Sequence, residues 1–144
     1  MPSTNYYDTF IAVADDCPMV EGMQPPTRET PSVAERAYAM ISRHPYELTS
    51  DDVIFGVYAD RNGIPEQDRP AAREKFLESN QACLRGSALC KRYGWGVHAD
   101  ARGRLALYGV ETQSYKNFVS GKVPAADGRE IKVVNAMRSS RLSA

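Results

Sequence analysis

The reading of this chain turns on Lys91–Val110, KRYGWGVHADARGRLALYGV. Two runs rich in aromatic and apolar residues, KRYGWGVH and RLALYGV, flank the tetrapeptide Asp100-Ala101-Arg102-Gly103. Asp in the first place and Gly in the fourth are the preferences of a type I turn, which four-residue hairpin loops commonly use. The stretch therefore predicts a β-hairpin with Ala99 opposite Arg104. Side chains alternate across a strand, so in that register Tyr93, Trp95, Val97, Ala106, Tyr108 and Val110 share one face. Gly94, Gly96, His98, Leu105, Leu107 and Gly109 share the other. Neither face is polar; one belongs to the core, and the other is covered by helices, by a partner or by a ligand. Gly94 and Gly96 weaken the strand and mark a close approach: either a helix packs over them or they floor a ligand slot.

Working outward, Tyr7–Ala14 (YDTFIAVA) reads as a buried strand closed by Asp15, Asp16, Cys17 and Pro18. Val20–Glu29 carries Gly22, Pro25 and Pro26 without periodicity and reads as a long loop. Ser32 with Glu35 three residues on forms a capping-box pattern, and Val33, Ala37, Met40 and Ile41 continue it as one apolar stripe until Pro45. Thr49, Ser50, Asp51 and Asp52 open a second helix that runs to Asn62-Gly63, and residues 69 to 79 form a third. Thr112 caps a short helix bearing Tyr115, Phe118 and Val119. Ile131–Met137 is a last strand, followed by a basic tail, Arg138 to Arg141. Strands at both ends, a central hairpin and helices between them predict an α+β fold, an antiparallel or mixed sheet of about four strands with three to four helices packed on it. Residues 1–144 read as a single domain, with no internal repeat and no linker between two cores.

Composition bounds the function classes. With 144 residues, 42% hydrophobic and 25% charged, the chain has the balance of an ordinary globular domain. Mean hydropathy is −0.47, and no apolar stretch reaches the roughly 18 to 20 residues that span a bilayer. Met1–Asn5 is polar and runs straight into Tyr6-Tyr7-Asp8, unlike a signal peptide. Cys17, Cys83 and Cys90 are an odd count without C-x-x-C spacing, the pattern of reduced thiols. The expected location is cytoplasmic. His44 and His98 stand away from any cysteine pair at metal-ligand spacing, so neither a metal site nor a cofactor is expected. Net charge is zero, yet residues 1–60 hold three Lys/Arg against ten Asp/Glu and residues 61–144 hold fifteen against eight. The segments either lie against each other and cancel or present a basic face to an anionic partner.

The expected site lies by the hairpin. Its residues are Lys91, Arg92, Tyr93, Trp95, His98, Tyr108, Glu111 and Tyr115, forming a pocket rimmed by Lys91 and Arg92 for a small anionic ligand or a protein partner. Two other classes compete. Lys91, Tyr93, Gly94 and Trp95 echo the basic-aromatic-small-aromatic order of the RNA-recognition-motif strand, so single-stranded nucleic acid could stack on Tyr93, Trp95 and Tyr108. Arg92, Gly96 and His98 depart from that pattern. Alternatively, His98 and a cysteine, Cys83 or Cys17, would supply a nucleophile and its base. Glu111 reads as an acid or as a helix-start charge, and no catalytic residue is assigned.

The segments TNYYDTFIAVADDCP, SDDVIFGVYADRNGIP, KRYGWGVHADARGRLALYGVE and AMRSSR together resemble a family of small bacterial proteins of unknown function. KRYGWGVH is the most specific of them, and residues 19–32 and 120–130 depart most. The resemblance covers most of the chain and implies a bacterial origin and a shared fold. It assigns no functional residue.

Overall fold

Thr9–Ala12 (β1) is buried along its whole length because partners hold both its edges and helices cover both its faces. It pairs antiparallel with Trp95–Ala99 (β2) and parallel with Lys132–Asn135 (β4). Leu105–Gly109 (β3) pairs antiparallel with β2, giving the order β3-β2-β1-β4 in a computed structural model that describes residues 3–139. Arg141 of the basic tail lies outside the described residues. The fold class is α+β, as the sequence implied, with a mixed four-stranded sheet.

Five helices accompany the sheet among the described residues: α1 (Val33–Arg43), α2 (Ser50–Arg61), α3 (Arg69–Glu78), α4 (Ala88–Lys91) and α5 (Gln113–Val119). Three of them, α1, α2 and α5, start at caps legible in the sequence. Ser32 Oγ accepts from the Glu35 N–H at 3.1 Å, and Thr112 Oγ1 accepts from the Tyr115 N–H at 3.1 Å. At α2 the box is reciprocal: Thr49 Oγ1 accepts from the Asp52 N–H at 3.2 Å and the Asp52 carboxylate accepts from the Thr49 N–H at 2.9 Å. The extra helix, α4, is a single turn capped by Ser87.

The hairpin register differs by one residue from the one the sequence predicts. Ala99 stands opposite Leu105, not Arg104. The Gly103 N–H closes a turn on the Asp100 carbonyl, the Asp100 N–H donates to the Arg104 carbonyl, both at 3.0 Å, and Gly103 lies at φ +79°. This is a three-residue loop, a type I turn followed by a left-handed glycine that forms a bulge. The Asp100 carboxylate fixes it by accepting from the N–H groups of Arg102 and Arg104, each at 2.9 Å. Because side chains alternate, a shift of one residue on one strand re-sorts the faces. Trp95, Val97, Ala99, Leu105, Leu107 and Gly109 now share one face, and Gly96, His98, Ala106 and Tyr108 the other.

Each face has its own core. The Trp95 face packs with Ile11 beneath α1, α2 and α4, around Ile41, Val53 and Leu89. The His98 face packs with Phe10 beneath α5, where the Phe10 ring stacks on Phe118 at 4.8 Å and meets Tyr115 edge-on at 5.2 Å. Ion pairs Arg73–Asp52 (2.8 Å) and Arg69–Asp60 (3.0 Å) join the basic part of the chain to the acidic part, so some of the charge asymmetry cancels locally. No helix among the described residues is long and apolar enough to cross a membrane.

Candidate functional site

The expected site residues fall into three places. Trp95 lies toward α1: its Nε1–H donates to the Met23 carbonyl at 2.9 Å, and its ring packs against Tyr38 with centroids 5.5 Å apart. The same ring lies so close to Gly22 that a Cβ there would sit 2.9 Å from it. Trp95 thus clamps the loop of residues 19–25 onto the sheet. Glu111 supports the same loop, its carboxylate accepting from the Gly22 N–H at 2.9 Å. The Tyr93 carbonyl accepts from the Met23 N–H, and Lys91 and Arg92 close α4. Tyr115 is on the buried face of α5, its phenol oxygen accepting from the Val13 N–H at 2.9 Å.

The slot over the glycines is filled by the protein itself. A Cβ at Gly94 would meet the Glu21 carbonyl, and one at Gly96 would meet the rings of Phe10 and Tyr115. Trp95 and Tyr108 occupy opposite faces, so Tyr93, Trp95 and Tyr108 form no common stacking platform. The cysteine–histidine pair is also not assembled. Cys90 and Cys17 pack with the Trp95-face core, while His98 lies across the sheet. Burial, reinforced by the neighbouring Cys17, pushes the Cys90 thiol up to about 12, which makes it a poor nucleophile. Cys83 lines a separate cavity bounded by α1 and α2.

What the structure does bring together is His98, Tyr108 and a residue the sequence did not single out, Tyr46. The Tyr46 hydroxyl stands 2.8 Å from His98 Nδ1 and 2.7 Å from the Tyr108 hydroxyl, making a three-membered polar chain. Pro45 ends the helical run, and Tyr46 turns the chain back at φ +57°, a conformation that is strained for a bulky residue and persists only where its surroundings hold it. Its N–H is held by the Leu105 carbonyl at 2.7 Å. Phe118 closes the chain from above, its ring centroid 4.4 Å from the His98 ring and 5.0 Å from Tyr108. Burial raises the Tyr46 phenol well above its ordinary range, and the Tyr108 hydrogen bond adds to this. Burial also lowers the His98 imidazole, against the opposing pull of Asp100 and Asp8. At neutral pH the chain is uncharged, with one proton arrangement running His98 to Tyr46 to Tyr108 and the other running back.

Tyr46 and Tyr108 also line a groove of about 320 Å³ with Tyr38, Ile41, Trp95 and Leu107. Ala106, Leu107 and Tyr108 all contribute to its wall. Consecutive strand residues point to opposite faces, so the groove wraps the outer edge of β3. The main chain at that edge is only partly satisfied. Ladder bonds join Asp100 to Arg104 and Gly94 to Val110 and, by the antiparallel alternation, His98 to Ala106 and Gly96 to Tyr108. Leu105, Leu107 and Gly109 therefore direct their amides away from β2. The Leu105 N–H donates to the Leu48 carbonyl at 2.9 Å, and its carbonyl receives Tyr46; the Gly109 carbonyl receives Thr112. The N–H and C=O of Leu107 have no partner among the described residues. Tyr38, Ile41 and Ser42 stand at helical spacing on α1, a signal the sequence carried. Nothing local pointed to Tyr46.

Among proteins of known sequence, the model of DUF6157, described as a family of unknown function, matches residues 1–142. No curated protein and no solved structure matches the chain.

Proposed function

We propose that this chain, which belongs to the DUF6157 family, is a binding module that takes an extended segment of a protein partner along the outer edge of β3. One observation carries the reading: the unpartnered N–H and C=O of Leu107 open beside an apolar groove walled by Tyr38, Ile41 and Trp95. An extended chain supplies both of the missing hydrogen bonds and a side chain for the groove, which is how strand addition combines affinity with selectivity. The protein's own segment at Tyr46–Leu48 already bonds to Leu105 in this way, and the partner would continue where it stops. No charged side chain lines the groove. Of the two occupants expected near the hairpin, the protein partner is the one this lining favours over a small anion.

The test is selection of linear peptides from a displayed library on the whole protein, followed by amide exchange on the winners. Bound peptides should slow exchange at Leu107 and should weaken at least tenfold on Ser42→Trp, which fills the groove from an exposed helical position. Peptides that bind with Leu107 exchange unchanged, or equally well to Ser42→Trp, would overturn the proposal.

A further inference from the structure

A second opening lies across the protein from the His98 face, between α1, α2 and the segment of residues 81–88. It has a volume of about 380 Å³ and is walled by Ala34, Ala37, Val53, Val57, Cys83 and Ala88, among others. No charged side chain lines it. Close-packed interiors leave few voids larger than a water molecule, and here the small side chains of Ala34, Ala37 and Ala88 keep the helices and the 81–88 segment from filling the space. Its polar groups are largely engaged elsewhere. Gln81 Nε2 donates to the Phe76 carbonyl at 2.9 Å, and Ser87 Oγ caps α4 through the Leu89 N–H at 3.2 Å. Most of the wall is apolar surface, which gains dispersion contacts without loss of hydrogen bonds from an apolar occupant.

We infer that this cavity is a binding site for a small, neutral, apolar molecule, independent of the β3 groove. An apolar cavity of about 150 Å³ holds one benzene ring, so the volume here suits a body of two or three fused or linked rings, or a hydrocarbon chain of similar bulk. An anion or cation would be desolvated without a partner and is disfavoured. Ser87 and Gln81 lie on the same wall segment as Cys83, where the free Oε1 of Gln81 provides for a single polar substituent.

Cys83 makes the inference testable, because it lines the cavity, whereas Cys17 and Cys90 do not. The probe is N-phenyl-1-naphthylamine, which is neutral, apolar and bright only out of water. The expected result is saturable brightening at one site per chain, alkylation of Cys83 slowed several-fold by the probe while Cys17 is unaffected, and affinity lowered at least tenfold by Ala34→Phe. Ile54→Glu, at a half-buried lining position, provides a second variant that folds without filling the cavity and should lose the probe equally. Ser42→Trp, in the β3 groove, should leave probe affinity unchanged, so failure at either site is read separately. Brightening without protection of Cys83, full affinity in Ile54→Glu, or no brightening at all would each overturn the inference.

Discussion

Replacing Tyr46 by Phe removes one oxygen and breaks two hydrogen bonds, those at 2.8 Å to His98 Nδ1 and 2.7 Å to the Tyr108 hydroxyl. The ring stays, so its packing over His98, with centroids 5.6 Å apart, is kept. A neutral hydrogen bond contributes about 0.5–1.5 kcal/mol net, so Tyr46→Phe should cost about 1–3 kcal/mol. Tyr108→Phe breaks only the second bond and should cost about 0.5–1.5 kcal/mol. The Tyr46–Tyr108 bond is lost in both single variants and only once in the double. The double variant should therefore cost less than the sum of the singles by about 0.5–1.5 kcal/mol, the worth of that shared bond. Urea unfolding followed through Trp95, the only tryptophan, gives each value from the shift in midpoint at constant slope. Costs that add to within about 0.3 kcal/mol would show that the three groups do not act as one chain, and the account of the site would fail with them.

Two further outcomes follow from the same face. Burial holds the His98 imidazole below its ordinary range, against Asp100 and Asp8, so between pH 6.5 and its folded value the unfolded chain binds a proton that the native chain refuses. Stability is then complete above about pH 6.5 and declines as the pH falls from there toward that lower value; urea midpoints should show the decline, His98→Gln should flatten it, and an identical profile in the variant would rule His98 out as its source. Gly96→Ala places a Cβ 2.7 Å from the Tyr115 ring and against Phe10, an overpacking that should cost about 1–3 kcal/mol and lower the melting midpoint by several degrees; an unchanged midpoint would mean that α5 does not press on β2.

The elements were legible where the chain states them locally. Ser32, Thr49 and Thr112 each cap the helix the sequence assigned to them, because capping needs only residues within one turn. Ala88–Lys91 was missed because a four-residue helix is too short to show periodicity. The register was missed for a subtler reason. A glycine three places after an aspartate suits the end of a four-residue loop as well as the left-handed position of a three-residue one, and the choice is made by Asp100, whose carboxylate reaches Arg104 as well as Arg102. That single step moved Trp95 away from Tyr108 and put Tyr108 beside His98. Tyr46 was invisible in principle, since its role depends on a left-handed backbone and on partners 52 and 62 residues away.

The two sheet edges are closed by different means, and the difference argues for the β3 groove as a site. At β4, Arg85 covers the edge with both its parts: its Nε–H donates to the Asn135 carbonyl at 2.7 Å, and its own carbonyl accepts from the Met137 N–H at 2.8 Å. An arginine on an edge is the ordinary guard against unwanted pairing. At β3 the guard is a piece of backbone, Tyr46–Leu48, and it stops one residue short. Pro45, the next residue, has no N–H to offer Leu107 and turns away to line the groove instead. An extended partner thus gains two main-chain bonds at Leu107, about 1 kcal/mol each, and burial of one apolar side chain, about 1.5–3 kcal/mol. Set against the cost of association, at least about 4 kcal/mol, these gains support only weak binding by a free peptide. On the proposed reading the module acts where its partner is already held nearby or where many copies engage together, since tethering raises the effective concentration to the millimolar range. A free peptide that binds this edge at nanomolar concentration would contradict that arithmetic and would point to contacts beyond Leu107 and the groove.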